Sequence, residues 1–177
     1  MSRNGCVKIL WLSLFLLGVS FCIFPLVSNW FAKKKQEDVM NSEWTSMIGI
    51  LEIPSIDVKL PIYPDVKEEM LQYGVGHMKR SNLPGEGAYT HSLIVGHRGL
   101  PRASLLARLG EVKEGEHFFV TMEEEKFQYC VTDIRVIQPE DTSCLKVKNE
   151  KELISIITCT PYGINTHRLV VTGERIQ

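Results

Sequence analysis

The pattern of apolar and polar positions divides the chain in two before any motif is considered. Ile9 to Val27 is apolar-rich and carries no charge; as a helix it would rise roughly 28 Å, about one hydrocarbon thickness. A retained transmembrane signal anchor is therefore expected over residues 9–28, preceded by a short tail at 1–8. A cleaved signal would have a shorter apolar stretch ending at a small-x-small site, whereas this run continues into Ser28-Asn29-Trp30-Phe31 and then Lys33-Lys34-Lys35. Trp11 and Trp30 suit the two membrane interfaces. Lysines and arginines on the two sides nearly balance, so charge alone leaves the orientation open. Residues 29–46 are polar and aperiodic and read as a linker.

From Met47 onward the signals are mostly β. Met47–Ile53 is an apolar run stopped by Pro54, and Val58–Tyr63 alternates before Pro64. Ser92–Gly96 reads as a buried strand. His117–Met122 and Lys126–Ile137 form a hairpin about the acidic turn Glu123-Glu124-Glu125, and Leu153–Thr158 and Leu169–Thr172 add two more strands. Asp65–Tyr73 has helical spacing and an acidic start, and Ala103–Leu109 predicts one or two helical turns closed by Gly110. Seven or eight short strands with little helix predict a closed or nearly closed β-barrel over residues 47–177.

Composition narrows the partners. At 177 residues and 44% apolar content the chain has room for one packed domain plus the appendage. Five of its 20 Lys/Arg lie in the first 35 residues, which hold no Asp/Glu. The remainder keeps 15 against 21 carboxylates, a balance of −6. No nucleic-acid partner is expected from such a domain. Of five cysteines, Cys6 and Cys22 lie in or beside the anchor, and Cys130, Cys144 and Cys159 cannot all pair. No CxxC spacing occurs, and His91, His97 and Cys159 have no further ligand at metal-binding spacing, so no metal site is expected.

The chemistry concentrates in Thr158–Arg168, TCTPYGINTHR. If the flanking runs pair antiparallel around the Pro-Tyr-Gly-Ile-Asn loop, Cys159 at the end of one strand and Arg168 at the start of the next become neighbours. A free thiol is a nucleophile candidate, and a guanidinium suits a carbonyl oxygen turning into an oxyanion. The missing part is a proton donor and acceptor, the work of histidine near neutral pH. His97 follows Leu93-Ile94-Val95 at a strand terminus between Gly96 and Gly99 and is the best placed. His77 and His91 stand as loop alternatives, His117 begins a strand, and His167 points opposite to Arg168 by alternation.

LIVGHRGLP (Leu93–Pro101) together with TCTPYGINTHRLVVTGER (Thr158–Arg175) resembles the sortase family of Gram-positive surface transpeptidases, most closely its class C, pilin-polymerising members. IGILEIPSIDVKLPIY, GVGHMKRSNLPGEGAYTHS and VIQPEDT extend the likeness over nearly everything from Met47. The resemblance implies an eight-stranded sortase barrel and a cysteine transpeptidase without metal or cofactor. It gives Cys159 the role of nucleophile, His97 that of general acid and base, and Arg168 that of oxyanion and substrate stabiliser. Thr160, through a nearby backbone N–H, and His91 are further substrate-binding candidates. The implied partners are LPxTG-type surface or pilin proteins, with an amine from a pilin lysine or a peptidoglycan cross-bridge as acceptor. The implied location is the cell membrane, single-pass, with the N-terminus cytoplasmic and the catalytic domain extracellular. Two departures stand out: no proline lies between Leu26 and Ile53 where an Asp-Pro-aromatic lid would precede the barrel, and the chain stops at Gln177 without a second apolar run. An open active site is therefore expected. The alternatives are a wall-anchoring sortase or a hydrolase on the same scaffold, and a surface binding module without catalysis.

Overall fold

The computed structural model describes residues 47–100, 103–147 and 150–176, together with Trp11, Ser13, Leu14 and positions 17–21, 23–25, 27, 28, 30, 31 and 34, which are helical. Among the described residues no helix is long and apolar enough to cross a membrane. The expected tail at 1–8, and parts of the expected anchor and linker, lie outside the described residues.

Eight strands follow in order: β1 (Gly49–Ile53), β2 (Val58–Tyr63), β3 (Val75–His77), β4 (Thr90–Val95), β5 (His117–Met122), β6 (Glu125–Ile137), β7 (Glu152–Thr160) and β8 (His167–Arg175). They close a barrel in the spatial order β1-β2-β3-β4-β7-β8-β6-β5. The β2–β3 and β4–β7 pairs are parallel and the others antiparallel. Period-two alternation sends Leu51, Ile53, Leu60, Ile62, Ile94, Ile154, Ile156, Leu169 and Val171 to one continuous core. The acidic turn is as expected, with Met122 paired to Glu125 across a two-residue connection.

β6 carries a phase change that its sequence already contains. Phe127, Tyr129 and Val131 point inward at odd positions, after which Ile134 packs on the core at an even one. The β6–β8 register shifts between Val131 and Asp133 to accommodate this, a bulge that bends the long strand around the barrel.

Three local expectations differ from the structure. Only α1 (Glu68–Leu71) is helical within 65–73. Residues 103–109 form turns leading into a 3-10 turn at Leu109–Glu111, because Leu105 takes φ 32° and Leu105, Leu106 and Leu109 all bury into the barrel rather than sharing one helical stripe. β3, at a stretch where the pattern predicts no strand, pairs in parallel with β2. Its glycines make this possible: a Cβ on Gly74 would meet the Pro61 carbonyl at 2.4 Å, and one on Gly76 the Asp65 carbonyl at 2.4 Å.

The two ends of the β4–β7 ladder differ. At its start the buried Glu152 accepts from Tyr129 Oη (2.6 Å), the Gly85 N–H (2.9 Å) and Arg175 Nη1 (3.0 Å). Burial, reinforced by the carboxylate of Glu152, pushes the Tyr129 hydroxyl far above its ordinary range. At the other end lie the candidate catalytic residues.

Candidate active site

The parallel β4–β7 register sets the site. Thr90 lies opposite Glu152 and Val95 opposite Ile157, a constant offset along both strands. Two residues further on, the same offset aligns His97 with Cys159. Contacts beyond the last ladder pair hold it there. The Gly96 N–H donates to the Ile157 carbonyl at 3.1 Å, and the buried Thr158 hydroxyl donates to the Gly96 carbonyl at 2.8 Å. Arg98 Nη1 donates to Thr160 Oγ1 at 3.2 Å, again at that offset, while its Nε donates to the Ala107 carbonyl. The His97 carbonyl accepts from the Leu106 N–H at 3.3 Å, so the 103–109 turns underpin the histidine.

Antiparallel pairing of β7 with β8 places Cys159 opposite Arg168 and Thr160 opposite His167. Paired Cα atoms in such a ladder lie about 4.5–5.5 Å apart. Ile154 and Ile156 belong to the core, so alternation puts Ser155, Ile157 and Cys159 on the outer face, beside Leu93 and Val95 of β4 and Arg168, Val170 and Thr172 of β8. Arg168 is half-buried, and its Nη1 donates to the carbonyls of Asn165 (3.2 Å) and His167 (3.0 Å), which tether the guanidinium to the β7–β8 loop. Cys159 is a free, half-buried thiol. His97 is half-buried too, and its Nε2 lies 3.1 Å from Glu68 Oε1 of α1.

Cys159, His97 and Arg168 thus converge at one end of the barrel, joined by Thr160. His91 does not. It lies six residues back along β4, about 20 Å at strand rise, and is 2% exposed. Its Nε2 pairs with Ser155 Oγ (2.8 Å), which in turn pairs with Thr172 Oγ1 (2.7 Å), and its Nδ1 with the Lys146 carbonyl (3.1 Å). His91 therefore pins the segment before β7 onto the outer face. His77 lies in β3 and bonds Asn82 and Ser81. Among the described residues no group of three or more His, Cys, Asp or Glu could hold a metal. Burial pushes the Cys144 thiol up, away from the thiolate form.

Glu68, Arg98 and the Thr158 hydroxyl take part in the site although neither pattern nor spacing singles them out. Arg98 follows His97 directly, and Thr158 precedes Cys159. Their adjacency to the reactive residues was the available signal. Glu68 had none, because its partner lies 29 positions away.

What the arrangement offers is a nucleophile with a cation on one neighbouring strand and an imidazole on the other, the parts of acyl transfer through a covalent intermediate. Residues 51–176 match the Sortase domain family. Sortase D of Bacillus subtilis (strain 168) is 31% identical over 131 residues, 72% of this chain and 63% of that protein. Sortase A of Bacillus anthracis is 26% identical over 130 residues, 73% and 60%. The chain spans about three fifths of the length of these curated relatives. Among solved structures, Group B Streptococcus Pilus Island 1 Sortase C2 is 47% identical with a TM-score of 0.73, covering 76% of this chain and 77% of that one. Sortase A from Corynebacterium diphtheriae is 42% identical with a TM-score of 0.72, covering 74% and 61%. A closed eight-stranded barrel whose β4–β7–β8 edge gathers histidine, cysteine and arginine, matched over most of its length, belongs to the sortase family.

Proposed function

We propose that this chain is a membrane-anchored cysteine transpeptidase that cleaves an LPxTG-type sorting signal between Thr and Gly and passes the acyl group to an amine. The observation that carries the reading is the β4–β7–β8 register, which brings His97, Cys159 and Arg168 to the same barrel end. On the outer face leading to Cys159, the half-buried Leu93 and Val95 offer an apolar surface suited to an extended peptide.

Cys159 passes its proton to His97 and its Sγ attacks the threonine carbonyl carbon, forming the C–S bond while the oxygen takes negative charge against Arg168 and a backbone N–H near Thr160. Collapse breaks the C–N bond, and His97 gives its proton to the departing glycine amine. The thioester is then attacked by the acceptor amine, whose proton returns to His97 as the C–S bond breaks and the thiolate leaves. A thiol suits this sequence because its acyl-enzyme must last until a macromolecular amine arrives. A pilin lysine is the acceptor in this reading, in line with the structural similarity to pilus-related sortases of Group B Streptococcus. The charge-free run Ile9–Val27 supports an anchor, and the likeness to surface transpeptidases is the reason for placing the barrel outside the cell in this reading. Wall anchoring is the second reading, since several curated relatives are named Sortase A.

Intact-mass analysis after incubation with a panel of LPxTG-type peptides tests it. A thioester adduct on Cys159, absent from Cys159→Ala, is expected. Turnover undiminished in Cys159→Ala overturns the proposal. Product analysis with lysine-bearing pilin peptides, cross-bridge amines or water separates polymerisation, anchoring and hydrolysis.

A further inference from the structure

We propose that Glu68 is a positioning residue for His97, setting which ring nitrogen handles the proton; this rests on the transpeptidase reading above. Glu68 and Leu71 are three residues apart on α1 and share a face. Leu71 is buried against the barrel, so Glu68 is turned the same way, and its Oε1 stands 3.1 Å from His97 Nε2. The approach to α1 is fixed independently. Asp65 is tied to Lys79 at 2.8 Å, and its carbonyl lies where only a glycine at position 76 leaves room. His97 is thus held twice, by Leu106 at its backbone carbonyl and by Glu68 at its ring.

An ionised carboxylate only accepts hydrogen bonds, so Nε2 must carry the hydrogen in this pair. In the neutral ring the lone pair then sits on Nδ1, which becomes the atom that takes the proton from the attacking side and returns it to the amine. Without Glu68 both tautomers and more ring orientations are populated, and only a fraction can act. The nucleophile, base and carboxylate form the three-part arrangement of other covalent acyl-transfer sites. Here the carboxylate comes from the β2–β3 connection. Glu68 is 68% exposed and His97 30%, so the pair is solvent-screened and its effect is modest. The same exposure means that replacing Glu68 leaves the core untouched.

The test uses single-turnover thioester formation and nitrogen-15 NMR of the histidine rings, with the His97 signals assigned through His97→Ala. Glu68→Ala is expected to slow acylation about fivefold with the peptide KM unchanged, and to convert His97 from the Nε2–H form to a tautomer mixture. Glu68→Gln, whose amide oxygen still accepts from Nε2–H, is expected to retain most of both signals. Acylation by Glu68→Ala as fast as or faster than wild type overturns the proposal, since the contact would then be idle or a clasp that must open. An unchanged tautomer in Glu68→Ala overturns it as well. Absence of a thioester in the wild type would refute the transpeptidase reading instead, and the NMR comparison would still decide the role of Glu68.

Discussion

Thr158→Val isolates the bond that carries the strand register past the last ladder pair. The Thr158 hydroxyl, 1% exposed as a residue, donates to the Gly96 carbonyl at 2.8 Å. Valine keeps the branched shape and the strand preference but offers no donor. Losing a buried hydrogen bond and leaving its acceptor short costs about 1–2 kcal/mol. With a urea m-value near 1.5 kcal/mol/M, the unfolding midpoint should fall by about 1 M with the slope unchanged. The functional effect should exceed the stability loss, because Gly96 adjoins His97 and Thr158 adjoins Cys159. Acylation well below the midpoint should slow about tenfold, the order expected when reacting groups drift by a fraction of an ångström. Urea titration followed by far-UV circular dichroism, alongside quenched-flow mass spectrometry of the thioester, provides both numbers. A lowered midpoint with wild-type acylation would refute the argument that this bond aligns the two catalytic residues.

Other substitutions probe the site and the scaffold separately. Arg168→Lys keeps the charge but loses the planar fork tethered to the Asn165 and His167 carbonyls, and acylation should drop about 100-fold, measured as kcat/KM with an LPxTG-type peptide. Tyr129→Phe leaves the buried Glu152 short of one donor at the far end of the barrel. It should destabilise the fold by about 1.5–3 kcal/mol in calorimetry while sparing acylation under native conditions. Glu52 is held below the ordinary carboxylate value of 4.5 by hydrogen bonds from Lys126 and Lys59. Its contribution is therefore full above pH 4.5 and is lost as pH falls through the lowered folded value. Lys126→Met should flatten the fall of urea midpoints with acidification, and an unchanged slope would contradict that assignment.

Most of the barrel was legible because its strands alternate. The apolar sets of β1, β2, β5, β7 and β8 each mark one face, and even the β6 bulge is written as a switch from odd to even apolar positions. β3 was not legible, because three residues with a central glycine carry no alternation; its pairing depends on backbone approach to Pro61 and Asp65. The 103–109 turns were misread as helix for a related reason. Their leucines are spaced like one helical face but bury in the barrel through a residue at positive φ. At the site, Cys159 and Arg168 could be paired from the loop between them. His97 could be placed at a strand end but not opposite the thiol, since a parallel crossover of some sixty residues hides the register. His91 shows the limit of that reading: its position in the sequence fits a loop, while its environment is a buried chain with Ser155 and Thr172.

Convergence of Cys159 and His97 is the claim on which the account depends, and a bifunctional alkylator measures it directly. 1,3-Dibromoacetone reacts first with a nucleophilic thiol and then with an imidazole close enough to share the short ketone bridge, releasing one bromide at each step. Peptide mapping of the treated protein should recover a cross-linked pair containing Cys159 and His97, lost in His97→Ala and diminished in Thr158→Val. A Cys159 carrying only singly attached, hydrolysed reagent, or one bridged to another histidine, would contradict the site described.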